Sequence, residues 1–373
     1  MSRKSESHSS SSRIAATIKS LRHQIDKLDV QILKLVNERA SVASQIVKLK
    51  KDIGEEAFTP SREEEVFDNV VQANKGPLDD ATIRAIYREI ISGTRALERM
   101  PKVSCLGPEF SFSHLAAMER FGQAVEYTLV GGITAVFEDV NRGHTEFGVV
   151  PLENSTDGRV SDSLEMFLRL PQLRICGEVR LRIHHNLLAN CEQAEIRRVY
   201  SKGQALAQCR NWLSKNVPHA AQVEVSSTAN AARLAQTEPG AAAIASRQAA
   251  VRYGLRMLSE NIEDQPFNET RFAVIGHHEA RRTGRDKTAI VFSVSDSPGA
   301  LADALQVFKQ LKINLTWIES FPTRSEKPEY VFFADFEGHL DDARTKKALG
   351  LLERRCEKVT ILGSYPVSAP RDE

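Results

Sequence analysis

The sequence predicts a multidomain chain with an all-α region over 13–100, an α/β region over 102–278 and a small α+β region over 287–366. Three observations predict this fold class. Apolar residues of the first region recur at heptad spacing, and short apolar runs of the second alternate with helical stretches. The third region has the element order βαββαβ of a ferredoxin-like fold. The length of 373 residues also exceeds what one ordinary hydrophobic core organises.

The first region opens with a long amphipathic segment. Its apolar positions are spaced alternately four and three residues apart, as in a helical seam: Ile14, Ile18, Leu21, Ile25, Leu28, Ile32, Leu35, Val42, Ile46 and Leu49. A helix over 13–51 would be roughly 58 Å long. Because a seam of that length needs a partner, we expect a homodimer through this region. Pro60 suits the first turn of a second helix, Asn74–Asp80 ends it, and a third helix is expected from about Ile83 to Glu98.

Composition limits the classes of partner. The Ser-rich residues 1–12 contain no apolar stretch, which predicts a disordered tail, with a short transit peptide as the alternative. Lys plus Arg (50) nearly balances Asp plus Glu (49), so the bulk charge favours neither nucleic acid nor a membrane surface. No apolar run approaches the roughly 20 residues of a membrane span. The five scattered cysteines argue against a disulfide framework or zinc site and indicate a cytoplasmic location.

Polar residues on the helical seam suggest a binding pocket. Arg39 lies on the seam itself, and Lys50 falls on roughly the same face eleven residues later. Ile83, Ile86, Ile90 and Leu97 form an apolar face on the third helix, and Thr94 and Glu98 extend it. These groups form either the ion pairs of a helix dimer or a pocket for a small anionic ligand. Arg22 lies 17 residues before Arg39 and points about 100° away, so both serve one pocket only if Arg22 comes from a partner chain.

The α/β region places hydroxyl and amide groups after its predicted strands. Buried strands are predicted at 103–107, 147–153, 197–201, 223–227 and 241–246. Two of them lead into polar turns, whose side chains could bind anions or cap helices: Asn154, Ser155, Thr156, Ser226, Ser227 and Thr228. The pairs His184-His185 and His277-His278 lack the spacing of a helical metal site and are interpreted as structural, so no metal is expected.

Several segments together carry a family resemblance. They are LRHQIDKLDVQILKLVNERASVASQIVKLK (21–50), SREEEV (61–66), LGPEFSFSHLAA (106–117), VVPLENSTDG (149–158), SSTANAA (226–232), NETRFAVIG (268–276), DSPGAL (296–301) and IES (318–320). In this order they resemble bifunctional chorismate mutase–prephenate dehydratases with a C-terminal ACT domain. The resemblance implies an all-helical mutase domain, a two-lobed α/β dehydratase domain with its cleft between the lobes, and a ferredoxin-like ACT domain. It implies conversion of chorismate to prephenate and then to phenylpyruvate, without a cofactor.

The resemblance implies roles for the residues of the helical region. Positions matching the family's chorismate ligands are Arg22 from the partner chain, Arg39, Lys50, Thr59, Arg62, Glu63, Thr94 and Glu98. Glu63 is expected to hold the substrate hydroxyl. Lys50 and a protonated Glu98 are expected to donate hydrogen bonds to the ether oxygen, where negative charge develops in this rearrangement. A charged carboxylate would repel that oxygen, so Glu98 needs its proton.

For the remaining regions the resemblance implies a dehydratase site and a regulatory site. Thr270 in T-R-F matches the family's essential threonine, and Arg271 is expected either to orient the cleft or to be structural. Phenylalanine is the expected effector of the ACT domain, through positions Gly299, Ala300, Leu301, Glu319 and Ser320.

Three positions depart from the family pattern and keep rival functions open. Phe110 replaces a glycine in the GPxGT turn, Lys202-Gly203 replace His-Pro in a YSHPQ segment, and Phe321 replaces the arginine of ESRP. The first two departures suggest an alternative function, a mutase fused to a non-catalytic ligand sensor. The intact T-R-F segment argues against this alternative. An arogenate-preferring dehydratase is a second alternative. A coiled-coil interaction protein is a third, disfavoured because Arg39 and Glu98 would weaken such a seam.

Overall fold

The computed structural model describes residues 3–52, 60–97, 99–156, 158–323 and 330–372. The chain forms two compact units, one of Met1–Phe58 with Gly93–Arg99 and the other of Thr59–Ser92 with Met100–Glu373.

The first unit is dominated by helix α1, Arg3–Asp52. It starts ten residues before the predicted position, so residues 3–12 are helical rather than a disordered tail, because adding residues to an existing helix costs far less than nucleating one. The predicted apolar seam is present along α1, but it is exposed in the single chain. Leu28, Ile32 and Leu35 are 55%, 58% and 62% exposed. Heptad spacing of this kind is typical of a helix that packs along its seam against another helix.

Two helices of the N-terminal region follow. Helix α2 spans Pro60–Ala73 and begins at the proline, whose fixed φ suits a first helical turn. Helix α3 spans Asp80–Ala96, and the Asp79 carboxylate caps it by accepting from the Thr82 backbone N–H. The buried residues of α3 are Ile91 and Ser92. The predicted apolar face is wrong in part, since Ile86 and Leu97 are exposed and Ile91, outside that face, is buried.

The α/β region follows in the second unit. Its helices and strands are β1 (Lys102–Leu106), α4 (Phe112–Phe121), β2 (Glu126–Val130), α5 (Ile133–Asn141), β3 (Phe147–Asn154), β4 (Gly158–Arg159), α6 (Ser161–Arg169), β5 (Arg174–Arg182), β6 (Asn186–Ala189), β7 (Arg198–Ser201), α7 (Gly203–Gln208), α8 (Arg210–Asn216), β8 (Ala221–Glu224), α9 (Thr228–Thr237), β9 (Ala241–Ala245), α10 (Arg247–Tyr253), β10 (Arg256–Ser259) and β11 (Glu269–Gly276). Strand β8 ends before Ser226 and Ser227, which were predicted within the strand and instead precede α9.

These elements form two lobes, each built on its own sheet. The large lobe has the strand order β16-β5-β11-β3-β1-β2, with β4 paired to β3, and its edge strand β16 is the C-terminal Pro370–Asp372. The small lobe has the order β10-β6-β9-β7-β8. The chain crosses between the lobes twice, from β5 to β6 and back from β10 to β11. The expected dehydratase cleft would lie at the junction of these two lobes, where binding sites commonly occur.

The last region has the predicted βαββαβ order. It contains β12 (Asp286–Ser293), α11 (Ala300–Leu311), β13 (Leu315–Pro322), β14 (Tyr330–Glu337), α12 (Ala343–Leu352) and β15 (Lys358–Pro366), followed by β16 (Pro370–Asp372). Its antiparallel sheet has the order β13-β14-β12-β15. The helices cover one face, and Val291, Phe333 and Tyr365 on the other face share a hydrophobic core with the large lobe. The predicted multidomain fold class is confirmed.

The four-stranded C-terminal sheet and the sheet of the large lobe are in close contact at Gly363. A Cβ atom there would lie 2.2 Å from the Ile175 carbonyl oxygen, and the φ of +147° also disfavours a side chain. Glycine at this position lets the backbone of β15 lie directly against β5.

Candidate active sites

The residues expected to bind chorismate lie on three helices. Arg22 on α1 is exposed, whereas Arg39 and Lys50 on the same helix are half-buried. Thr94 is half-buried on the last turn of α3. Thr59 and Glu98, which were also expected in this site, lie outside the described residues.

The two neighbours expected on α2 have different environments. The Arg62 side chain is 67% exposed and donates to Glu65 one turn later, at 2.8 Å. The Glu63 side chain is only 11% exposed, and its Oε2 accepts a hydrogen bond from Arg120 Nη1 at 2.9 Å. Arg120 belongs to α4 of the large lobe. Residue type and spacing gave no signal for this pair, because its members are 57 positions apart.

The expected dehydratase residues meet where two antiparallel strands of the large lobe pair. Thr270 on β11 is the register partner of Asn154 at the end of β3. Asn154 Nδ2 donates to Thr270 Oγ1 at 2.7 Å and to Asn268 Oδ1 at 3.1 Å. Asn154 Oδ1 accepts from the Thr156 backbone N–H at 3.0 Å. Since the amide donates to Oγ1, the Thr270 hydroxyl hydrogen is available to another acceptor.

Ser155 has a different role from its two neighbours. Its hydroxyl donates to the Phe267 carbonyl oxygen at 3.1 Å and accepts from the Glu269 N–H at 2.9 Å. It thereby ties the turn after β3 to the segment that leads into β11, which carries Thr270. The Phe267 side chain is 89% exposed beside this turn.

Side chains from the small lobe and the crossings bond to the expected dehydratase residues, and sequence reasoning did not single them out for this site. Gln208 at the end of α7 donates to Thr156 Oγ1 at 2.6 Å, so it joins the two lobes. Gln208 Oε1 accepts from Asn268 Nδ2 at 3.0 Å and lies 2.8 Å from His185 Nε2. The only sequence signal for Asn268 was its position directly before the E-T-R-F segment, which places it next to Thr270.

The protonation state of His185 follows from its burial. His185, interpreted as structural, is almost completely buried, and that burial lowers its pKa even though Gln208 and Glu263 favour the charged form. The imidazole is therefore neutral at neutral pH. Its neighbour His184 lies with Nδ1 2.8 Å from Glu263 Oε1.

The second predicted anion-binding turn acts as a helix cap in the structure. Ser227 is the N-cap of α9, and its Oγ accepts from the Asn230 backbone N–H at 3.0 Å. Ser226 Oγ accepts from the Asn230 side chain at 3.3 Å. Thr228 is buried in the first turn. Helix capping therefore explains the contacts of these three residues without a bound anion.

The departure at Phe110 coincides with an unusual backbone conformation. Phe110 has φ +62°, in the left-handed region where glycine is favoured and a phenylalanine is strained. Its ring packs against the hydrophobic core of the small lobe. Glu109 beside it pairs with Arg252 of α10 at 3.3 Å. A residue of the large lobe is thus held against the small lobe at the entrance to α4.

Arg271 connects the dehydratase strand β11 to the ACT sheet. It is buried, and it donates to Glu178 at 2.9 Å, to Tyr365 Oη at 2.6 Å and to Asp335. Lys287 also donates to Glu178, at 3.3 Å. Burial alone would lower the pKa of Arg271, but Asp335, Tyr365 and Glu178 together raise it well above its ordinary value. Of its two expected roles, the structure supports the structural one, at a position adjacent to Thr270.

The expected effector residues lie on two elements of the ACT domain. Gly299 is the N-cap of α11 with φ +88°, and Ala300 and Leu301 form the first turn. Glu319 and Ser320 lie on β13, where Arg159 of β4 donates to Glu319 Oε2 at 3.0 Å and to the Ser320 carbonyl oxygen at 2.6 Å. Phe321, the third departure, is buried, with the Arg159 guanidinium 5.8 Å from its ring centroid.

Two further properties hold for the described part of the chain. No group of three or more His, Cys, Asp or Glu side chains in these ranges could hold a metal ion. None of the helices described there combines the length and apolar character needed to cross a lipid bilayer.

Comparison with protein families assigns each region. A family model for chorismate mutase type II matches residues 21–99, one for prephenate dehydratase matches residues 103–280, and one for the ACT domain matches residues 288–350. The fold and these matches define a class of enzyme in which a mutase domain, a dehydratase domain and an ACT domain follow one another in a single chain.

Relatives over the whole length specify the family. The bifunctional chorismate mutase/prephenate dehydratase of Pseudomonas aeruginosa is 45% identical, over 94% of this chain and 97% of that protein. The enzyme of the same name from Aquifex aeolicus is 43% identical, over 94% and 98%. The crystal structure of prephenate dehydratase from Arthrobacter aurescens in complex with L-Phe superposes with a TM-score of 0.66, at 34% identity, over 71% of this chain and 90% of that one. The chain belongs to the family of bifunctional chorismate mutase/prephenate dehydratases.

Proposed function

We propose that the two reactions of this enzyme, chorismate to prephenate and prephenate to phenylpyruvate, use the residues described above. The observation that carries the dehydratase part is the 2.7 Å hydrogen bond from Asn154 to Thr270 in the cleft between the lobes. The mutase part is supported by the match of residues 21–99 to chorismate mutase type II and by the residues at the family's ligand positions.

The mutase reaction is an internal rearrangement that needs no nucleophile. The protein accelerates it by holding the folded conformer of chorismate and by stabilising charge on the breaking ether oxygen. Arg39 and Arg22 of a partner chain bind the two carboxylates in this proposal, and Glu63 binds the hydroxyl. Lys50 and protonated Glu98 donate to the ether oxygen, and Thr59, Arg62 and Thr94 are supporting contacts.

The dehydratase reaction removes carbon dioxide and the ring hydroxyl of prephenate together, leaving phenylpyruvate and water. The departing hydroxide needs a proton or a strong hydrogen bond. Thr270 supplies the donor, because Asn154 occupies its oxygen and directs its hydrogen toward the substrate. Thr156, Gln208 and Asn268 hold Asn154 in place across the lobes. The N-terminus of α9 with Ser226–Thr228, Ser155 and Arg271 are secondary candidates for substrate contacts.

We propose that phenylalanine regulates the enzyme by binding the ACT domain near Gly299–Leu301 and Glu319–Ser320. The Arthrobacter aurescens dehydratase was crystallised with L-Phe, which supports this ligand class for the present chain. Arg159 would transmit binding, because it joins β4 of the large lobe to Glu319 and Ser320.

Homodimerisation through α1 is proposed as the way its exposed seam becomes buried. The ten residues of the predicted seam, from Ile14 to Leu49, are each at least 45% exposed in the single chain. Burying them against a second copy would contribute roughly 25 cal/mol for each Å² of apolar surface removed from water. A cytoplasmic location is proposed from the five free thiols, of which Cys105, Cys176 and Cys209 are buried.

The test of this assignment separates the two reactions. Purified protein is incubated with chorismate, and prephenate and phenylpyruvate are quantified over time. Thr270→Ala should lower phenylpyruvate formation by on the order of 10³-fold while chorismate is consumed at nearly the normal rate. Thr283→Ala is a matched control, because Thr283 lies outside the cleft and bonds to Asp286. If Thr270→Ala reduced both activities equally in a folded protein, the two-site assignment would be wrong.

A further inference from the structure

The carboxylate expected to hold the hydroxyl of chorismate is bound by a side chain of the dehydratase region. Glu63 on α2 accepts from Arg120 on α4 at 2.9 Å, and the Arg120 side chain is only 6% exposed. Burial alone would lower the pKa of Arg120, but Glu63 and then Glu64 raise it, so its charge is retained. A charged pair this far from water is held in a defined geometry, because a lost contact would leave a buried charge uncompensated.

The backbone next to Arg120 is also fitted to the N-terminal helices. Gly122 ends α4 with φ +76°, and a Cβ atom there would lie 2.6 Å from Ser92 Cβ of α3. The Ala124 N–H donates to Ser92 Oγ at 3.1 Å, and the Gln123 N–H donates to Glu89 at 2.9 Å. Helix α3 therefore fits closely against the end of α4.

Further ion pairs surround this contact without including Glu63. Glu119 on α4 accepts from Arg88 of α3 and from Arg371 of β16, the latter at 2.7 Å. Glu64 on α2 pairs with Arg84 at 2.9 Å and lies 3.7 Å from Arg371. These pairs fasten the helices to the large lobe, and they provide controls for an effect specific to Glu63.

We infer that Arg120 is a positioning residue of the mutase reaction, holding the Glu63 carboxylate in the orientation that binds the substrate hydroxyl. The inference rests on the proposed role of Glu63. A carboxylate has two oxygens with about four acceptor directions, so a bond to Arg120 is compatible with a second bond to a hydroxyl. Chorismate conversion would then depend on a residue that belongs to the dehydratase fold.

Three variants of the full-length enzyme test the inference. Arg120→Met removes the guanidinium, Arg120→Lys keeps a charged donor, and Arg88→Met removes a neighbouring pair that excludes Glu63. Arg120→Met should lower mutase kcat/KM by on the order of 10- to 100-fold. The loss should fall mainly on KM, because the hydroxyl contact is made in the ground state and the transition state alike. Arg120→Lys should recover most of the activity, and Arg88→Met should stay within about threefold of the unaltered enzyme.

The kinetic pattern distinguishes positioning from damage to the fold. A partly unfolded sample would lose kcat with KM unchanged, and its dehydratase activity would fall in parallel. Arg120→Met is expected to keep its dehydratase rate within about twofold. A mutase KM that stayed unchanged in Arg120→Met, or a loss in Arg88→Met as large as in Arg120→Met, would overturn the inference.

Glu63→Gln separates failure of the inference from failure of the proposed site. If Glu63→Gln lowers mutase activity and Arg120→Met adds little in that background, the pair acts as one unit and the inference holds. If Glu63→Gln lowers activity but Arg120→Met alone does not, the site stands and the role of Arg120 is rejected. Full mutase activity in Glu63→Gln would reject the role of Glu63 itself, and the inference with it.

Discussion

Helix α1 and the dehydratase cleft differ in how much of their working surface one chain supplies. The cleft is built from neighbouring strands and crossings of a single chain, and its polar side chains already bond to one another, as Asn154 does to Thr270 and Gln208 to Thr156. Along α1 the apolar seam is exposed, and the basic residues expected to bind chorismate lie exposed or half-buried beside it. The difference teaches that one chain supplies the bonded side chains of the proposed dehydratase site, whereas the proposed mutase site includes a residue from a second copy.

The largest expected effect comes from charging the seam. Ile32→Asp places a carboxylate where α1 is to pack against its partner, so dimerisation through α1 should fail and mutase activity should drop by more than about 100-fold. Dehydratase activity should stay within about twofold. Light scattering after size exclusion gives the oligomeric state, and the two assays are run on the same fractions.

The control for the seam is Lys34→Gln, which makes the same change in charge off the seam and removes an exposed pair with Glu38. It should leave both activities and the oligomeric state unchanged. Retained mutase activity in a chain that no longer dimerises through α1 would contradict the contrast drawn between the two sites.

A smaller effect is expected at the junction of the dehydratase sheet with the ACT sheet. Asp335→Asn removes a buried negative charge from Arg271 and should lower the free energy of unfolding by about 3 kcal/mol. Asp341→Asn removes an acid that is 69% exposed and pairs with Lys346, so it should cost less than about 1 kcal/mol. Urea unfolding, followed by the loss of dehydratase activity, gives the unfolding midpoint of each variant. Equal midpoints for the two variants would show that the buried network contributes nothing specific to the junction.

The smallest expected effect is at Phe110, where a glycine variant should be more stable than an alanine variant. Alanine is ordinarily more stable than glycine, by roughly 0.5–1 kcal/mol within regular structure. Phe110 has φ +62°, where a Cβ atom is strained, so Phe110→Gly should be more stable than Phe110→Ala by about 1 kcal/mol. Both variants lose the same contact with the small lobe, so their difference isolates the backbone. Thermal unfolding of the pair is the measurement, and a more stable alanine variant would exclude the strained conformation.

Sequence periodicity accounted for the fold better than for the sites. Heptad spacing predicted α1, and alternating apolar runs predicted the βαββαβ order, because both patterns are local. The face of α3 was partly misjudged, since the choice between Ile86 and Ile91 depends on what packs against the helix. A strand-end motif led to Asn154, and the family resemblance led to Thr270. The roles of Gln208 and His185 could not be predicted, because their partners come from the other lobe and from a crossing of the chain.

The C-terminal strand has a consequence for how the protein is synthesised. Strand β16 pairs in parallel with β5, from Pro370 beside Arg180 to Asp372 beside Arg182, and the Ser368 N–H bonds Glu178 across a separation of 190 residues. Until the ribosome has made that strand, this stretch of β5 is an open sheet edge, a template for pairing with other chains. The small lobe and the ACT domain are therefore translated before this edge of the nascent dehydratase sheet can be covered.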